Sequence, residues 1–372
     1  MRKLQMVDLK GQYVKIKDQV DKAIIDVIDS TAFINGPEVK QFQKDLENYL
    51  NVKHVIPCAN GTDALQIAMM GLGLKHGDEV ITTDFTFAAT VEVIALLNLT
   101  PVLVDCDLQD MNISIEAIKN AITPKTKAIV PVHLFGQAAD MDAIMALAKE
   151  HNLYVIEDNA QAVGGSYSSK DGIKKLGTIG DVGTTSFFPS KNLGCYGDGG
   201  AIFTNNNELA HTIRGIVNHG MYERYRHDVV GVNSRLDSVQ AAVLRIKLPY
   251  LDTYNKARQN AALYYAKGLG VNKNIVVPDN NEFHVFHQYV IRITNGKRDG
   301  LLAHLQEKQI PCAIYYPIPL HKQKAYIDKR YIEEAFPVTN QLSDEVIALP
   351  IHTELDTEQQ DYLINTILNY IN

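Results

Sequence analysis

A single lysine, Lys191, stands between an apolar run at residues 184–188 and a glycine-rich run at residues 194–200. The apolar run is long enough for a buried strand. Because desolvation disfavours the ammonium form, a lysine at the exit of a buried strand tends to lose part of its charge. A partly neutral lysine is a nucleophile that can form a Schiff base with a carbonyl. On local sequence alone, a surface lysine in a loop is the commoner state.

A second candidate site precedes the apolar helical segment at residues 64–70. Gly61, Thr62 and Asp63 are expected at the N-terminus of this helix, where free backbone N–H groups and the helix dipole attract anions. With the Thr62 hydroxyl, they predict a phosphate site. A plain N-cap formed by Thr62 or Asp63 explains the same pattern equally well. Both interpretations stay open on these residues alone.

The elements that must position these residues alternate between strands and helices. Strands are predicted at residues 55–59, 78–83, 101–105, 126–133, 153–158, 184–188 and 201–204. Helices are predicted at residues 13–29, 37–50, 64–70, 88–97, 114–122, 140–151 and 207–217. This alternation predicts a mainly parallel sheet, whose ligands bind outside the C-terminal strand ends. Thr62, Phe87, Asp158 and Lys191 all follow strand-like runs, so we expect them to converge there.

The chain of 372 residues is long enough for two domains, and we place the division after residue 248. Residues 1–248, ending in a helix at 236–248, form the large α/β domain. A long helix at 249–269 leads into a smaller α+β domain at residues 249–372, with a strand at 286–293 and a helix at 299–309. The polar and aromatic stretch at 219–232 is predicted to be an exposed loop.

Composition excludes several classes of protein. The net charge of -7 argues against a nucleic-acid partner held through phosphates. The four cysteines have no paired metal-binding spacing, so we expect no metal site. We also expect no membrane segment, because no stretch of about 18 apolar residues exists. The N-terminus lacks an apolar signal core, and we predict a cytoplasmic protein.

The sequences of seven segments, and their order along the chain, resemble those of the nucleotide-sugar aminotransferases of the DegT family. The segments are residues 36–38, 60–65, 84–90, 157–161, 186–191, 233–237 and 316–319. Each is weak alone, but the ordered set is specific and covers essentially the whole chain. The resemblance implies a fold-type I enzyme that uses pyridoxal 5′-phosphate (PLP). Its fold is a mainly parallel seven-stranded sheet flanked by helices, with a smaller C-terminal α+β domain.

Within the family, residues 58–66 and 187–200 are most similar to enzymes that aminate C3 of a UDP-linked 2-acetamido-hexuluronic acid. Two positions differ from the sequences of these enzymes: Tyr315, where they have histidine, and Asn192, where they have proline. Relatives acting on dTDP-3-keto-6-deoxyhexoses share much of the pattern, so both sugars stay open. The roles of Tyr315, Asn192 and Cys195 stay unexplained on sequence alone.

The resemblance gives three polar residues roles in the chemistry. Lys191 holds the cofactor as a Schiff base and moves a proton between the donor Cα and C4′ of the cofactor. Asp158 keeps the pyridine nitrogen protonated, unless it is only a helix cap or an exposed acid. Gln161 reaches the O3′ hydroxyl, unless it is an ordinary polar loop residue.

The resemblance also assigns the residues that surround the cofactor. Phe87 lies against the ring face, with core packing as the alternative. Gly61, Thr62 and Ser186 hold the phosphate. Asn233 reaches that phosphate from a second subunit, with a turn residue as the alternative, and such a shared site implies a homodimer.

Arg235 and Tyr316 are the candidates for binding the substrate. Arginine suits the diphosphate of a nucleotide sugar through its charge and fork geometry, whereas an intersubunit salt bridge is the alternative for Arg235. Glu157 and Asp198 are expected to serve loop structure. Weaker candidates are Gln12, Tyr13, His219 and His321.

The predicted activity is transfer of an amino group from L-glutamate to the C3 keto carbon of a nucleotide sugar. The cofactor alternates between PLP and pyridoxamine 5′-phosphate (PMP), and the product feeds surface polysaccharide, such as lipopolysaccharide O-antigen, or other amino-sugar biosynthesis. Two alternatives are a PLP-binding regulator without turnover and a different fold-type I enzyme, such as a cysteine desulfurase or aldolase.

Overall fold

The structure is a computed structural model that describes residues 2–372. The α-helices are α1 (Leu9–Ser30), α2 (Pro37–Leu50), α3 (Gly61–Gly71), α4 (Ala89–Leu96), α5 (Ile115–Ala121), α6 (Met141–His151), α7 (Asn207–Ile216), α8 (Ser238–Lys247), α9 (Leu251–Leu269), α10 (Arg298–Glu307), α11 (Pro337–Glu345) and α12 (Thr357–Ile371). The strands are β1 (His54–Cys58), β2 (Glu79–Thr83), β3 (Thr100–Val104), β4 (Thr126–Val130), β5 (Tyr154–Asp158), β6 (Ser166–Ser169), β7 (Gly172–Lys175), β8 (Val182–Ser186), β9 (Gly200–Thr204), β10 (Met221–Glu223), β11 (Arg226–His227), β12 (Ile275–Val276), β13 (Tyr289–Ile293) and β14 (Val346–Leu349).

The large sheet has seven strands in the order β1-β9-β8-β5-β4-β2-β3. Strands β3, β2, β4, β5 and β8 are parallel to one another, whereas β9 is antiparallel to both β8 and β1. This confirms the predicted mainly parallel seven-stranded sheet. The C-terminal ends of β2, β4, β5 and β8 therefore meet at one edge, which is where ligands bind in sheets of this kind.

Helices cover both faces of this sheet, which explains why its strands are apolar along their length. On one face, α3, α4 and α7 pack against the sheet in one buried cluster. On the opposite face, α5 and α6 form a second cluster over β2, β4 and β5, and α2 and α8 form a third over β1 and β9. The strand ends are thus held rigidly from both sides.

The smaller C-terminal sheet is antiparallel and has the order β12-β13-β14. It shares a buried core with α9, α10 and α12, and Leu4 from the N-terminus belongs to the same core. The Ile351 amide also donates to the carbonyl of Met6 at 3.3 Å. The division at residue 248 stays a prediction, and the N-terminal segment packs with the C-terminal elements.

Two segments differ from their predicted conformation. The strand expected at residues 286–293 begins only at Tyr289, because Phe286 has a positive φ of 43° that interrupts an extended chain. The stretch at 219–232 is mostly exposed, as predicted, but it contains the short hairpin of β10 and β11. Among residues 2–372, no helix has the length and apolar character needed to cross a membrane.

Candidate active site

The predicted site residues lie along the C-terminal edge of the large sheet. Asp158 is the last residue of β5, Ser186 is the last residue of β8, and α3 begins at Gly61. Lys191 lies in the loop that follows β8. The edge therefore holds a lysine, a carboxylate, a hydroxyl and a helix N-terminus.

Lys191 sits in a tight turn, in which its amide donates to the Phe188 carbonyl at 2.8 Å. A Cβ atom at Gly194 would lie 2.3 Å from the Pro189 carbonyl oxygen, so only glycine lets the loop fold back this closely. Burial lowers the pKa of Lys191 to about 8, although the charge of Asp158 acts in the opposite direction. About a tenth of this amine is therefore neutral and nucleophilic at pH 7, far more than for an ordinary lysine.

Asp158 is a buried carboxylate with a fixed orientation. Its Oδ2 accepts a hydrogen bond from the Thr90 hydroxyl at 2.9 Å, and its Oδ1 accepts one from the Ala160 amide at 3.1 Å. Burial raises the pKa of Asp158, whereas these two bonds and the charge of Lys191 lower it. Such a group stabilises a cation placed beside it.

The neighbouring carboxylate, Glu157, has a different task. Its oxygens accept hydrogen bonds from the amides of Gly177, Ile179 and Gly180 at 2.6–2.8 Å and lie 2.9 Å from His133 Nε2. Successive strand residues point to opposite faces, so Glu157 holds the turn before β8 while Asp158 faces the site. The expectation that Glu157 serves loop structure is confirmed.

The N-terminus of α3 forms a cradle with Ser186. The N-cap is Asn60, whose side-chain oxygen accepts from the Asp63 amide at 2.8 Å, so the interpretation of Thr62 or Asp63 as the cap is wrong. A Cβ atom at Gly61 would lie 2.7 Å from Ser186 Cβ, so glycine is needed for this approach. The first amides of a helix have no carbonyl partner within it, which fits a bound phosphate.

Gln161 and Tyr316 are joined, as members of one candidate site should be. The Gln161 amide nitrogen donates to the Tyr316 hydroxyl at 3.1 Å, and the Gln161 oxygen accepts from the Phe135 amide at 2.7 Å. Burial raises the pKa of Tyr316 well above its usual value, so the hydroxyl keeps its proton. The Tyr316 O–H and one Gln161 N–H are therefore available to a ligand.

Three predicted residues lie apart from this group. Phe87 is 59 % exposed, so its alternative interpretation as a core residue is wrong, and Asn233 is also exposed. Arg235 donates from Nη1 to the Asn218 side chain at 3.0 Å, while its Nε is buried without a partner. Within residues 2–372, no hydrogen bond or ion pair joins these three to Lys191 or Asp158.

The structure gives physical roles to the residues beside the lysine. Asn192 donates from Nδ2 to Asn255 Oδ1 at 2.7 Å and to the Val285 carbonyl at 2.9 Å, which ties the lysine loop to α9 and to the segment before β13. The Cys195 sulfur lies 3.0 Å from the Phe187 carbonyl. Burial raises the pKa of Cys195 to about 11, so it stays a thiol.

Tyr315 is half-buried beside Tyr316, with ring centroids 6.0 Å apart. Two further residues support the site without having been predicted. Thr90 orients Asp158 from α4, and its signal was a hydroxyl within an apolar helix. Phe135 stacks on Tyr316 at 6.4 Å and has a positive φ of 57°, a conformation unusual for a bulky residue that no sequence signal indicated.

Metal ligands are not assembled in the part of the chain that the structure describes: residues 2–372 contain no group of three or more His, Cys, Asp or Glu that could hold an ion. The groups at the strand ends instead fit an organic phosphate. Gly61 and Ser186 form the cradle, Lys191 offers a nucleophilic amine, and Asp158 offers a buried carboxylate. This site on this fold fits a PLP enzyme of fold-type I, the class that includes the aminotransferases.

Comparison with known proteins places the chain within this class. Residues 14–368 match the profile of the DegT/DnrJ/EryC1/StrS aminotransferase family. The chain belongs to this family, which confirms the resemblance that its motifs predicted.

Three relatives differ in their described functions. The UDP-2-acetamido-2-deoxy-3-oxo-D-glucuronate aminotransferase of Pseudomonas aeruginosa is 45% identical over 95% of this chain and 96% of its own length. A pleiotropic regulatory protein of Geobacillus stearothermophilus is also 45% identical, over 98% of both chains. The dTDP-3-amino-3,4,6-trideoxy-alpha-D-glucose transaminase of Streptomyces venezuelae is 37% identical over 98% of this chain and 95% of its own length.

A solved structure supports both the fold and the cofactor. The crystal structure of NtdA from Bacillus subtilis, with bound cofactor PMP, has a TM-score of 0.92 and 31% identity to this chain. The match covers 100% of this chain and 86% of the NtdA chain. PMP is the aminated form of PLP, so this neighbour has the cofactor in the state expected midway through amino transfer.

Proposed function

We propose that this protein transfers the amino group of L-glutamate to the C3 keto carbon of a UDP-linked 2-acetamido-3-oxo-hexuluronate. We further propose that it does so in the cytoplasm as a homodimer with shared sites, and that the product feeds surface polysaccharide such as lipopolysaccharide O-antigen. The near full-length similarity to the Pseudomonas aeruginosa enzyme supports the choice of sugar.

The observation that carries this proposal is that the buried Lys191 amine interacts with the buried Asp158 carboxylate at the sheet edge where Gly61 and Ser186 approach each other closely. Gly61, Thr62 and Ser186 would bind the cofactor phosphate through amides and hydroxyls. When bound, PLP supplies a carbonyl for the amine and a conjugated ring that withdraws electrons from the carbon that loses its proton. The remaining steps belong to the side chains of this chain.

Lys191 acts first as the nucleophile and then as the proton carrier. Its pKa of about 8 means that the amine is partly neutral at pH 7–8 and can accept a proton. With PLP and the amino donor bound, the free Lys191 amine would remove the proton from the donor Cα and would deliver it at C4′ of the cofactor. In the second half of the reaction Lys191 moves a proton in the reverse direction, onto C3 of the sugar.

Asp158 holds the proton on the pyridine nitrogen. A cation beside this carboxylate compensates for the loss of solvent that burial imposes, so the pair is favoured over the isolated acid. The hydrogen bonds from Thr90 and Ala160 keep the carboxylate in one orientation. The charge therefore requires little reorganisation during the reaction, which is the source of its catalytic value.

The remaining residues assigned to the site surround the cofactor ring and the substrate. Phe87 covers the ring face and excludes water, and the free N–H of Gln161 donates to the O3′ hydroxyl. Tyr316 and Arg235 bind the substrate. The buried, unpartnered Nε of Arg235 supports a role in binding the diphosphate, because such a donor is satisfied by an anion.

A panel of nucleotide sugars tests this proposal. Purified protein with PLP and L-glutamate is incubated with UDP-2-acetamido-3-oxo-glucuronate, with its uncharged 3-oxo-glucosamine counterpart, and with dTDP-3-keto-6-deoxyglucose. We expect 2-oxoglutarate and a 3-amino sugar from the uronate, with kcat/KM at least about tenfold higher than for the other two. A higher kcat/KM for the dTDP sugar would contradict the choice of sugar.

Two alternatives have support of their own. The Streptomyces venezuelae transaminase supports a dTDP sugar, and the panel separates that substrate from the uronate. The Geobacillus stearothermophilus relative supports a regulator without turnover. A regulator that binds PLP without turnover could keep the same lysine and carboxylate but would not exchange the amino group. Failure of the bound PLP to convert to PMP with glutamate would therefore favour it.

A further inference from the structure

One contact between the large domain and the C-terminal segment lies outside the cofactor residues already assigned. Asp84 directly follows β2 at the same sheet edge and is 1 % exposed. Its Oδ1 accepts from the His321 amide at 2.7 Å, and its Oδ2 lies 2.6 Å from His321 Nδ1. Because a carboxylate accepts, Nδ1 carries the proton, and one side chain thus fixes both the backbone and the ring of His321.

Packing alone does not explain why the polar imidazole of His321 is buried. Its ring stacks on Phe336 with centroids 4.3 Å apart, a contact that any flat apolar ring could make. Its Nε2 is buried without a hydrogen-bond partner. An unpaired buried nitrogen is unfavourable, so the benefit of histidine here lies in the bond from Nδ1 to Asp84.

The two segments joined by this bond carry residues assigned to the cofactor and substrate. We call residues 84–87 the ring-face loop, since they end in Phe87, and residues 315–321 the Tyr316 segment. Phe85 is fully buried and meets the edge of the Tyr316 ring with centroids 5.8 Å apart. The Asp84–His321 pair is therefore a further attachment between the same two segments, beside this ring contact and the bond from the Leu320 amide to the Asp84 carbonyl at 3.4 Å.

We propose that Asp84 and His321 are positioning residues. They fix the ring-face loop and the Tyr316 segment relative to each other, so that Phe87 and Tyr316 are oriented toward the bound cofactor. Phe87 is largely exposed, so packing restricts its ring only weakly. Its direction is set by the backbone that begins at Asp84. The inference rests on cofactor binding at Lys191 and not on the identity of the sugar.

A matched contact on the neighbouring strand provides the control. Asp105 directly follows β3 and accepts hydrogen bonds from the Val338 and Thr339 amides and from the Thr339 hydroxyl, at 2.7–2.9 Å. This aspartate also joins a strand end to the C-terminal part of the chain. Its partners, however, lie in α11 and not in the Tyr316 segment.

The experiment compares His321→Leu with Thr339→Val in the holoenzyme. Three quantities are measured: the visible circular dichroism of bound PLP, the PLP dissociation constant, and kcat and KM for conversion of PLP to PMP by L-glutamate. His321→Leu should lower kcat about 10- to 100-fold, as expected for misplaced groups, and should at least halve the dichroism band. Thr339→Val should change both less than about twofold while lowering the melting temperature.

Two further variants separate the effect of the hydrogen bond to Asp84 from the effect of side-chain size. In His321→Asn, the amide nitrogen takes the place of Nδ1 and can donate to Asp84, so we expect kcat within about threefold of wild type. In His321→Gln, the amide nitrogen lies at the Nε2 position instead, so the loss should persist. This glutamine variant also tests the proposal if His321→Leu fails to fold.

The results distinguish the alternatives. A lowered melting temperature with unchanged dichroism and kcat in His321→Leu and His321→Gln would overturn the proposal and leave a purely structural contact. If wild-type protein binds PLP but does not react with glutamate, the proposed function fails, either in its amino donor or in its turnover. The dichroism of the bound cofactor still decides the role of His321 in that case.

Discussion

The floor and the rim of the active site differ in how completely a single chain builds them. The floor, which we define as Lys191 and Asp158, has its supports within the same chain: Thr90 and Ala160 orient the carboxylate, and the loop of Asn192 anchors the lysine. The rim, which we define as Phe87, Asn233 and Arg235, is exposed or incompletely paired. The two residues assigned to the chemistry are thus held in place within one chain, whereas the rim residues are left open to a ligand or to the proposed second subunit.

This difference follows from where each group is attached. The floor extends from strands covered on both faces, so burial fixes its geometry and perturbs its pKa values together. The rim extends from loops and helix ends at the surface, where the side chains keep rotational freedom. Changes in the floor should therefore affect rate, and changes in Asn233 and Arg235, the polar part of the rim, should affect affinity.

The largest expected effect is that of Lys191→Ala. Loss of the nucleophile and proton carrier should lower kcat at least about 10³-fold. Borohydride reduction of the wild-type holoenzyme should leave PLP covalently attached to the peptide containing Lys191, detected by mass spectrometry. In the alanine variant this attachment should disappear.

Lys247 supplies the matched control, because burial also lowers its pKa to about 8. Its Nζ donates to the Gly194 carbonyl at 2.7 Å, and the side chain is buried behind the lysine loop. Labelling at Lys247 in the wild-type protein would contradict the comparison, because it would show that lowered pKa, and not position in the floor, selects the reactive lysine.

The next effect is that of Asp158→Asn, which removes the floor's negative charge and keeps its shape. We expect kcat with glutamate to fall about 10²- to 10³-fold, since the ring nitrogen loses its stabilising partner. The melting temperature should change little. Stopped-flow conversion of PLP to PMP measures the rate.

Glu157→Gln is the control on the same strand. The substitution replaces a carboxylate that accepts three backbone N–H hydrogen bonds with a neutral amide, which is a weaker acceptor. The free energy of unfolding should therefore fall by about 3 kcal/mol. The reaction rate of the protein that remains folded should stay within about threefold of wild type. Equal effects of the two substitutions on rate would remove the distinction between these neighbouring carboxylates.

The floor was predictable from sequence because it depends on local patterns. Asp158 ends a continuous apolar run, and Lys191 follows another, so the parallel sheet alone brings them to one edge. The N-cap of α3 was predicted less accurately. It is Asn60, because capping depends on backbone dihedrals that Asn60, Thr62 and Asp63 could all have satisfied.

The supports of the floor were beyond sequence reasoning because their partners are distant along the chain. Asn192 bonds with Asn255 and Val285, which lie 63 and 93 residues away. The left-handed backbone of Phe135 depends on the packing around it and on its bond to Gln161. Such contacts arise from tertiary assembly, and short segments do not specify them.

The pH dependence of cofactor attachment tests whether the charge of Asp158 acts on the pKa of Lys191. Below pH 8, the rate at which apoenzyme captures PLP should fall about tenfold per pH unit, because only the neutral Lys191 amine reacts. The charge of Asp158 raises the pKa of Lys191. In Asp158→Asn the midpoint should therefore move to lower pH.

Stopped-flow absorbance after mixing apoenzyme with PLP measures these rates. The two proteins are compared at each pH, which cancels the titration of PLP itself. An unchanged or higher midpoint in Asp158→Asn would mean that the carboxylate does not act on the lysine as the structure indicates.

The smallest expected effect belongs to the rim. Asn233→Ala should weaken PLP binding about tenfold, the cost of one hydrogen bond to a charged phosphate, with kcat at saturating PLP nearly unchanged. Equilibrium titration of apoenzyme measures the dissociation constant. This variant tests whether the proposed second subunit completes the site.

Mixed dimers of Asn233→Ala and Lys191→Ala subunits decide that question. If Asn233 acts across the interface, a mixed dimer has one site with both substitutions and one site with neither. That second site should bind PLP with wild-type affinity and restore about half of the wild-type activity per dimer at low PLP. If Asn233 acts within its own chain, every working lysine keeps the weakened phosphate site, and the tenfold loss of affinity persists in the mixture.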